Sequence, residues 1–351
     1  MPVVNLKIED VAFGGKGVAR ENGKAIFVPF TIDGEKIAAD VVREKKRFAE
    51  AEVVEILEPS SNRVIPPCPY FGKCGGCTYQ HISYDHQLAI KWRQVRDVLQ
   101  RIGKLNDIPL RPIICSAQPY GYRNRITVHV EDGIIGFFRR DSHRLIDIER
   151  CPISMDAVNV SLASLRESRP REGHYSLRAH PSGPRIFGQA NDDVARALRE
   201  LVVKLVSANQ RCLIDAYGGA GFFAKALLGK FDRIIGIDWD RFAIQEAQRD
   251  ASEKETYIAG DVDHVLAECP TNEHPLTLIV DPPATGLSQL ARQSIINLAP
   301  DYFFYVSCNP ATLARDLAAL ESSFSIVSVT PLDMFPQTAQ IEVAAELRKR
   351  V

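Results

Sequence analysis

The sequence predicts an α/β protein: a seven-stranded, doubly wound sheet over residues 186–351, preceded by a small all-β barrel (1–60) and an α+β central domain (61–185). Two observations carry that prediction. From residue 186 onward, strand-like runs at 212–216, 233–238, 256–259, 276–281, 302–306, 325–329 and 342–347 alternate with helical stretches, the texture of a parallel sheet covered on both faces. In the first 60 residues, short apolar runs at 3–8, 25–28 and 51–57 are separated by the turns Gly14-Gly15-Lys16-Gly17 and Asp33-Gly34.

At 351 residues the chain exceeds one ordinary core, which fits several domains. Its 45% hydrophobic and 25% charged residues are those of a soluble globular protein. No apolar run approaches the ~20 residues of a membrane span, and no signal-peptide core opens the chain, so a cytoplasmic, membrane-free monomer is expected. Net charge is −1 but unevenly spread: 27 basic against 22 acidic residues up to residue 180, and 16 against 22 beyond it. A basic front joined to an acidic back suits a polyanion-holding part appended to a catalytic one.

Within the barrel, Lys16, Arg20, Lys24 and the basic residues of 43–47 interleave with Phe13, Phe27, Phe30 and Phe48, a mixture suited to binding an oligonucleotide. Just downstream, Cys68, Cys74 and Cys77 fall within ten residues, with Gly72, Gly75 and Gly76 among them. Three thiolates on a backbone that can fold tightly round an inorganic core are what an iron–sulfur cluster or a zinc ion needs. In a reducing compartment that spacing points to metal rather than to disulfides. A fourth ligand must come from farther away: Cys151-Pro152 repeats the Cys-Pro context of ferredoxin ligands, and Cys115 is the alternative.

Residues 83–104 place Leu88, Trp92, Val95, Leu99 and Ile102 at three- and four-residue steps, an amphipathic helix that opens at Ser83 and stops at Gly103. Runs at 122–130, 134–140 and 144–148 then alternate around Asp132-Gly133 and Asp141-Ser142 as an antiparallel meander. Arg123, Arg125, Arg139, Arg140 and Arg144 would give that sheet a polyanion-facing surface.

In the last domain, Cys308 stands where the strand at 302–306 gives way to a helix with Pro310 in its first turn. Open α/β sheets bind ligands at such carboxyl-end tips. The helix N-terminus behind Cys308 is expected to favour the thiolate, which makes this residue the candidate nucleophile. After the first strand, Gly219, Gly221 and Ala224 satisfy the G-x-G-x-x-A pattern of a dinucleotide binder, and Asp238 closes the next strand where a ribose-binding acid belongs. That motif alone leaves a dehydrogenase open.

Three further segments decide more. Asp281-Pro282-Pro283, Ser307-Cys308-Asn309-Pro310 and the stretch from Asp333 through Phe335-Pro336-Gln337 to Glu342 resemble, in order and spacing, the motifs of the RNA uracil-5 methyltransferases, which use S-adenosylmethionine. The segment from Gly15 to Arg20, with Phe27-Val28-Pro29 and Gly34-Glu35, looks like a TRAM domain, an RNA-binding module. The cysteine pattern is similar to the iron–sulfur branch of the same family, so the resemblance covers essentially the whole chain. It implies a Rossmann-like class I methyltransferase domain and two cofactors. Cys68, Cys74, Cys77 and Cys151 would hold a [4Fe-4S] cluster. Gln189, Tyr217, Gly219, Gly221, Asp238, Asp261 and Asp281 would contact S-adenosylmethionine, with Asp238 at the ribose hydroxyls and Asp261 beside the adenine. Asp215, just before the glycines, opposes a pyrophosphate but suits a cationic cofactor, and Cys308 with Glu342 has no evident job in hydride transfer.

Carbon 5 of uracil is too weak a nucleophile to accept a methyl group unaided. The resemblance makes Cys308 the thiolate that adds to carbon 6, and Glu342 the base that then removes the proton from carbon 5. Phe187 is placed to stack on a uridine turned out of its helix or loop. The expected substrate is large-subunit (23S) ribosomal RNA, with transfer RNA as the alternative. A non-catalytic RNA-binding iron–sulfur protein is the reading of another class, and a cytosine-5 enzyme is a third, lacking here its usual Pro-Cys loop. Three positions depart from the family pattern: Ala284 where an arginine is common, Gln340 for a histidine, and Gly218 for a frequent cysteine, the last expected to be harmless.

Overall fold

Charged and apolar residues alternate through the first sixty positions, and the chain folds there into more strands than the apolar runs alone announce. The computed structural model describes residues 3–179, 188–207, 210–270 and 272–350. Its first strands are β1 (Val3–Lys7), β2 (Asp10–Val11), β3 (Lys16–Glu21), β4 (Lys24–Pro29), β5 (Lys36–Glu44) and β6 (Phe48–Glu58), paired in the order β1-β5-β6-β4-β3-β2. Leu6, Ala19, Ile26, Val28, Ile37 and Ala51 point to one interior. Gly17 is obligatory there: a Cβ on it would lie 1.9 Å from Thr31 Oγ1. Strands β3 and β5 carry lysine, arginine and glutamate on their outer faces, which hid them from an apolar-run reading. Part of the basic charge expected to face RNA is answered internally, by Lys16–Glu50 at 2.8 Å and Arg43–Glu50 at 3.6 Å.

Helix α1 (Tyr84–Arg101) follows, then β7 (Arg125–Glu131), β8 (Ile134–Phe138), β9 (Leu145–Asp147), α2 (Asp156–Glu167) and β10 (Gly173–Arg178). The sheet order is β10-β7-β8-β9, entirely antiparallel. Ile126, Val128 and Val130 of β7 meet Val158 and Leu162 of α2 in a small core, while the residues between them face outward. Strand β10, at 173–178, is an addition to the expected meander.

Beyond residue 188 come α3 (Asp192–Leu205), β11 (Gln210–Ala216), α4 (Ala224–Leu227), β12 (Phe231–Asp238), α5 (Arg241–Arg249), β13 (Glu255–Ala259), α6 (Val262–Ala267), β14 (Leu276–Val280), α7 (Gln289–Leu298), β15 (Tyr302–Ser307), α8 (Pro310–Leu320), β16 (Phe324–Leu332) and β17 (Glu342–Lys349). The sheet runs β13-β12-β11-β14-β15-β17-β16, seven strands as expected. Strands β11 to β15 are parallel; β11, β14 and β15 are buried on both faces and correspondingly apolar, whereas the edge strand β13 is partly exposed. One feature differs from a wholly parallel sheet: β17 pairs antiparallel with both β15 and β16. Residues 333–341 join β16 to β17 without a helix, and a parallel return needs a longer crossover.

By its contacts the chain divides into two units, one holding Met1–Gln94, Gln118–His180 and Phe335–Gln340, the other Val95–Ala117, Pro181–Met334 and Ile341–Val351. The six-stranded and four-stranded sheets belong to the first and the seven-stranded sheet to the second.

Candidate active site

Strand order reverses at β11, whose neighbours are β12 and β14. The crevice beyond the carboxyl ends at such a reversal is where open α/β sheets take ligands. Asp215 is the last residue but one of β11, Asp238 ends β12, Asp281 follows β14 and Cys308 follows β15. The antiparallel run of β17 adds the fifth group. Ser307 pairs with Val343, so the next residue on one strand, Cys308, comes level with the preceding one on the other, Glu342. A parallel last strand would have put its first residue at the opposite edge of the sheet.

Of the acids so gathered, Asp215, Asp238 and Glu342 are buried and Asp281 is partly so. Glu342 is 3% exposed and its Oε1 has no hydrogen-bond partner. Burial, reinforced by the charge of Asp281, holds its pKa well above the carboxylate range. Asp281 is pushed up to about 7 by burial and then by Asp215 and Asp238. Asp215, 1% exposed, is also pushed up to about 7 by burial, against a 3.0 Å hydrogen bond from Ala224 N–H, with the charge of Asp238 adding to the rise. Asp238 accepts backbone N–H bonds of 2.8 Å from both Gly219 and Asp240.

Cys308 is solvent-exposed, but its thiol is not poised as expected. Partial burial, then the charges of Glu342 and Asp281, push it up to about 11. The neighbouring carboxylates outweigh the α8 dipole, whose first turn is already capped by Asn309 Oδ1 accepting from Ala311 N–H at 3.0 Å. Positive charge brought beside Glu342 and Asp281 would remove their shares of that rise, each of which is smaller than the share of burial.

Two loops of the site are stapled together. The Ala284 carbonyl, just past the double proline, accepts from Asn309 Nδ2 and from Thr312 Oγ1, each at 3.1 Å. Deeper, the fully buried Asp316 accepts from Leu287 N–H and the Tyr305 hydroxyl, both at 2.8 Å, and from Arg292 at 2.9 Å. Arg315 bonds the same carboxylate at 2.9 Å and reaches the carbonyls of Thr285 and Leu287.

Comparison with known proteins identifies the arrangement. Residues 2–54 match the TRAM domain, and residues 271–350, which contain Asp281, Cys308 and Glu342, match the family described as tRNA (Uracil-5-)-methyltransferase. An uncharacterized RNA methyltransferase of Halalkalibacterium halodurans is 30% identical over 98% of this chain and 96% of its own. Another, of Bdellovibrio bacteriovorus, is 31% identical over 98% and 95%. The chain belongs to the S-adenosylmethionine-dependent RNA uracil-5 methyltransferase family. Its fold is that of the Pyrococcus abyssi tRNA (uracil-54, C5)-methyltransferase, solved with S-adenosyl-L-homocysteine: TM-score 0.75 at 24% identity, over 98% of this chain and 99% of that one.

The methyltransferase's acids suit a cationic ligand. Asp215 Oδ1 and Glu342 Oε1 are buried without a hydrogen-bond partner, in a group of carboxylates that raise one another. Gln189 Nε2 lies 3.4 Å from Asp281 Oδ2. Tyr217, Gly219 and Gly221 all take positive φ, which bends the loop after β11 sharply. Tyr217 donates to Asp263 Oδ1 at 2.7 Å. Asp261 is exposed and caps α6, accepting from Asp263 and His264 N–H. Gly218 is not a neutral exchange, because a Cβ there would lie 2.8 Å from Asp215 Cγ. Gln340 is exposed, and Phe187 lies outside the described residues.

Around the cysteines, Tyr70 OH accepts from Glu149 N–H at 3.2 Å, which ties the Cys68–Cys77 segment to the one leading into Cys151. Asn159 clamps Cys151 from both sides, accepting from its N–H at 2.8 Å and donating to its carbonyl at 3.1 Å. Burial raises the Cys68, Cys74 and Cys77 thiols, and each also feels Cys151. Buried Gln80 hydrogen-bonds Cys68 and Cys77. Among the described residues no three His, Cys, Asp or Glu side chains come together closely enough to hold a metal ion, so the expected metal site is not brought together here. Cys68, Cys74, Cys77 and Cys151 are all free thiols, each partly buried. Cys115 is exposed and belongs to the other unit.

Sequence reasoning missed Asp316, Tyr305, Arg292 and Arg315. The available signal was an aspartate inside an otherwise apolar helical run, six residues after Pro310.

Proposed function

We propose that the protein methylates carbon 5 of a uridine in RNA, with Cys308 as nucleophile and Glu342 as general base. The observation that carries the reading is the register that sets these two residues level at the carboxyl end of β15, beside Asp281. Gln189, Tyr217, Gly219, Gly221, Asp238, Asp261 and Asp281 bind S-adenosylmethionine, which when bound supplies the electrophilic methyl group that carbon 5 takes. Its positive charge beside Asp215 and Asp281 offsets the field that keeps Cys308 protonated. Cys308 Sγ then forms a bond to carbon 6 of the uracil, which makes carbon 5 nucleophilic. After methylation Glu342 takes the proton from carbon 5, and the electrons of that C–H bond restore the ring double bond and expel the Cys308 thiolate. A carboxylate with a raised pKa, unpartnered at Oε1, is a competent acceptor for that proton.

Cys68, Cys74, Cys77 and Cys151 hold a [4Fe-4S] cluster, which would supply a covalent tie between two otherwise separate loop segments. A monomeric, cytoplasmic enzyme acting on 23S ribosomal RNA is the reading the TRAM domain and the cysteine set support. Transfer RNA is favoured instead by the family description matched at 271–350 and by the substrate of the Pyrococcus abyssi protein. Mapping 5-methyluridine in cellular RNA with and without the gene decides between them. For the chemistry, Cys308→Ala should abolish methyl transfer from labelled S-adenosylmethionine to RNA, whereas Glu342→Gln should accumulate a covalent protein–RNA adduct on a denaturing gel. Full methyl transfer by Cys308→Ala would remove the proposal.

A further inference from the structure

The outward face of the four-stranded sheet has no place in the chemistry above. Its composition follows from register. Across β7 and β10, Arg125 pairs with Arg178, Thr127 with Ser176 and His129 with His174. Because alternate residues share a face, these are three successive cross-strand pairs on the side opposite the Val158–Leu162 core. The face thus grades from guanidinium, through hydroxyl, to imidazole. On the next strand Phe138 continues it, its ring 4.3 Å from that of His129, and His174 lies 6.4 Å from His129 on the other side. His143 closes the row at 6.1 Å from Phe138.

Thr127, Ser176, His174, Phe138 and His143 are exposed, and His129 and the two arginines are partly so. Two features set this face apart. Like charges directly across a strand pair repel, and Arg125 is held below the usual guanidinium range by partial burial and by Arg178 and Arg123. A phenylalanine is left at the surface, 38% exposed, in contact with imidazoles rather than under a helix. The one acid on the face of β7 is Glu131, at the far, turn end.

We propose that this face is a stacking platform for a single-stranded segment of the substrate RNA. Bases stack on the Phe138, His129 and His174 rings, sugar hydroxyls meet Thr127 and Ser176, and the phosphate backbone leaves past Arg125 and Arg178. A nucleic-acid strand presents those three chemistries together, ring faces, hydroxyls and phosphates, and flat sheets bearing aromatic side chains read unpaired bases this way. The inference rests on the RNA substrate but not on the uridine chemistry.

The test is equilibrium binding of a fluorescein-labelled ten-nucleotide oligouridylate at several salt concentrations. Phe138→Ala and His129→Ala should each weaken binding by roughly 5-fold or more, since one base stack is worth about that much or greater. Their salt dependence should stay that of wild type, while Arg178→Gln should flatten the salt slope by about one. Phe138→Tyr should restore binding, which a merely disturbed fold would not show. Thermal melting of each variant checks folding, and His174→Ala serves as a second, exposed probe. Phe138→Ala and His174→Ala proteins that bind as tightly as wild type overturn the platform, whether the face then serves a protein partner or none. Wild-type protein that binds by stacking yet transfers no methyl group would instead sink the uridine reading alone.

Discussion

Asp215 and Asp281 set the terms at the scale of single residues. Both are carboxyls pushed up to about 7, so in the ligand-free protein each is partly neutral near physiological pH. The sign of the consequence is fixed. Below about 7 the pair is mostly protonated, and a sulfonium gains little over a neutral thioether in the same place. As pH rises through about 7 the carboxyls ionise and the cation is preferred. The ratio of S-adenosylmethionine to S-adenosylhomocysteine affinity, measured by calorimetry, should therefore climb by roughly tenfold between pH 5.5 and 8.5. Asp215→Asn should flatten that climb. A ratio independent of pH would mean that these acids do not face the sulfonium.

At the scale of elements, the direction of β17 and the staple under the double-proline loop matter most. Asp316 is buried with two arginines, a hydroxyl and the Leu287 N–H all bonded to it. Asp316→Ala leaves the buried Leu287 N–H and Tyr305 hydroxyl without their acceptor, while the two arginines can turn to water, and should cost about 2–4 kcal/mol in denaturant unfolding. Tyr305→Phe removes one of the bonds and should cost about 1 kcal/mol. Equal effects from the two would mean that the carboxylate does not organise the loop. Gly286, within that loop, has φ +72° and room for no Cβ, which would sit 2.5 Å from Asp316 Oδ2. How much of this the sequence disclosed depends on the interaction involved. Strands β11, β14 and β15 are near-continuous apolar runs, and their existence is legible from that local pattern. Apart from the adjacent Arg315, the partners of Asp316 lie 11 to 29 residues away in sequence and leave no periodic trace. The antiparallel turn of β17 was hidden for a related reason, because pairing direction is a property of the connection rather than of the strand. The elevation of the Cys308 thiol is a third case: the helix behind it was legible in Pro310, whereas its burial and the two acids that add to it, Glu342 and Asp281, come from β17 and the end of β14.

For the whole molecule, the division into two units separates two groups of residues that sequence position does not. All four candidate cluster cysteines fall in the first unit and all the proposed cofactor residues in the second. The acids proposed to hold S-adenosylmethionine are kept in place by strand pairing within the seven-stranded sheet, and the Cys308–Glu342 register is set by β15 against β17. None of these bonds involves the Cys68–Cys77 segment. Losing the cluster should consequently act on one unit and spare the other. Cys151→Ser protein prepared without oxygen should lose the broad visible absorbance of an iron–sulfur centre and lower the thermal midpoint of the first unit. Its S-adenosylmethionine affinity by calorimetry should remain within about twofold of wild type, a change below the size of one ordinary hydrogen bond. If methyl-donor binding vanished together with the absorbance, the two units would be one cooperative system, and the cysteines would have to be counted as part of the catalytic architecture rather than as a tie within the RNA-facing half.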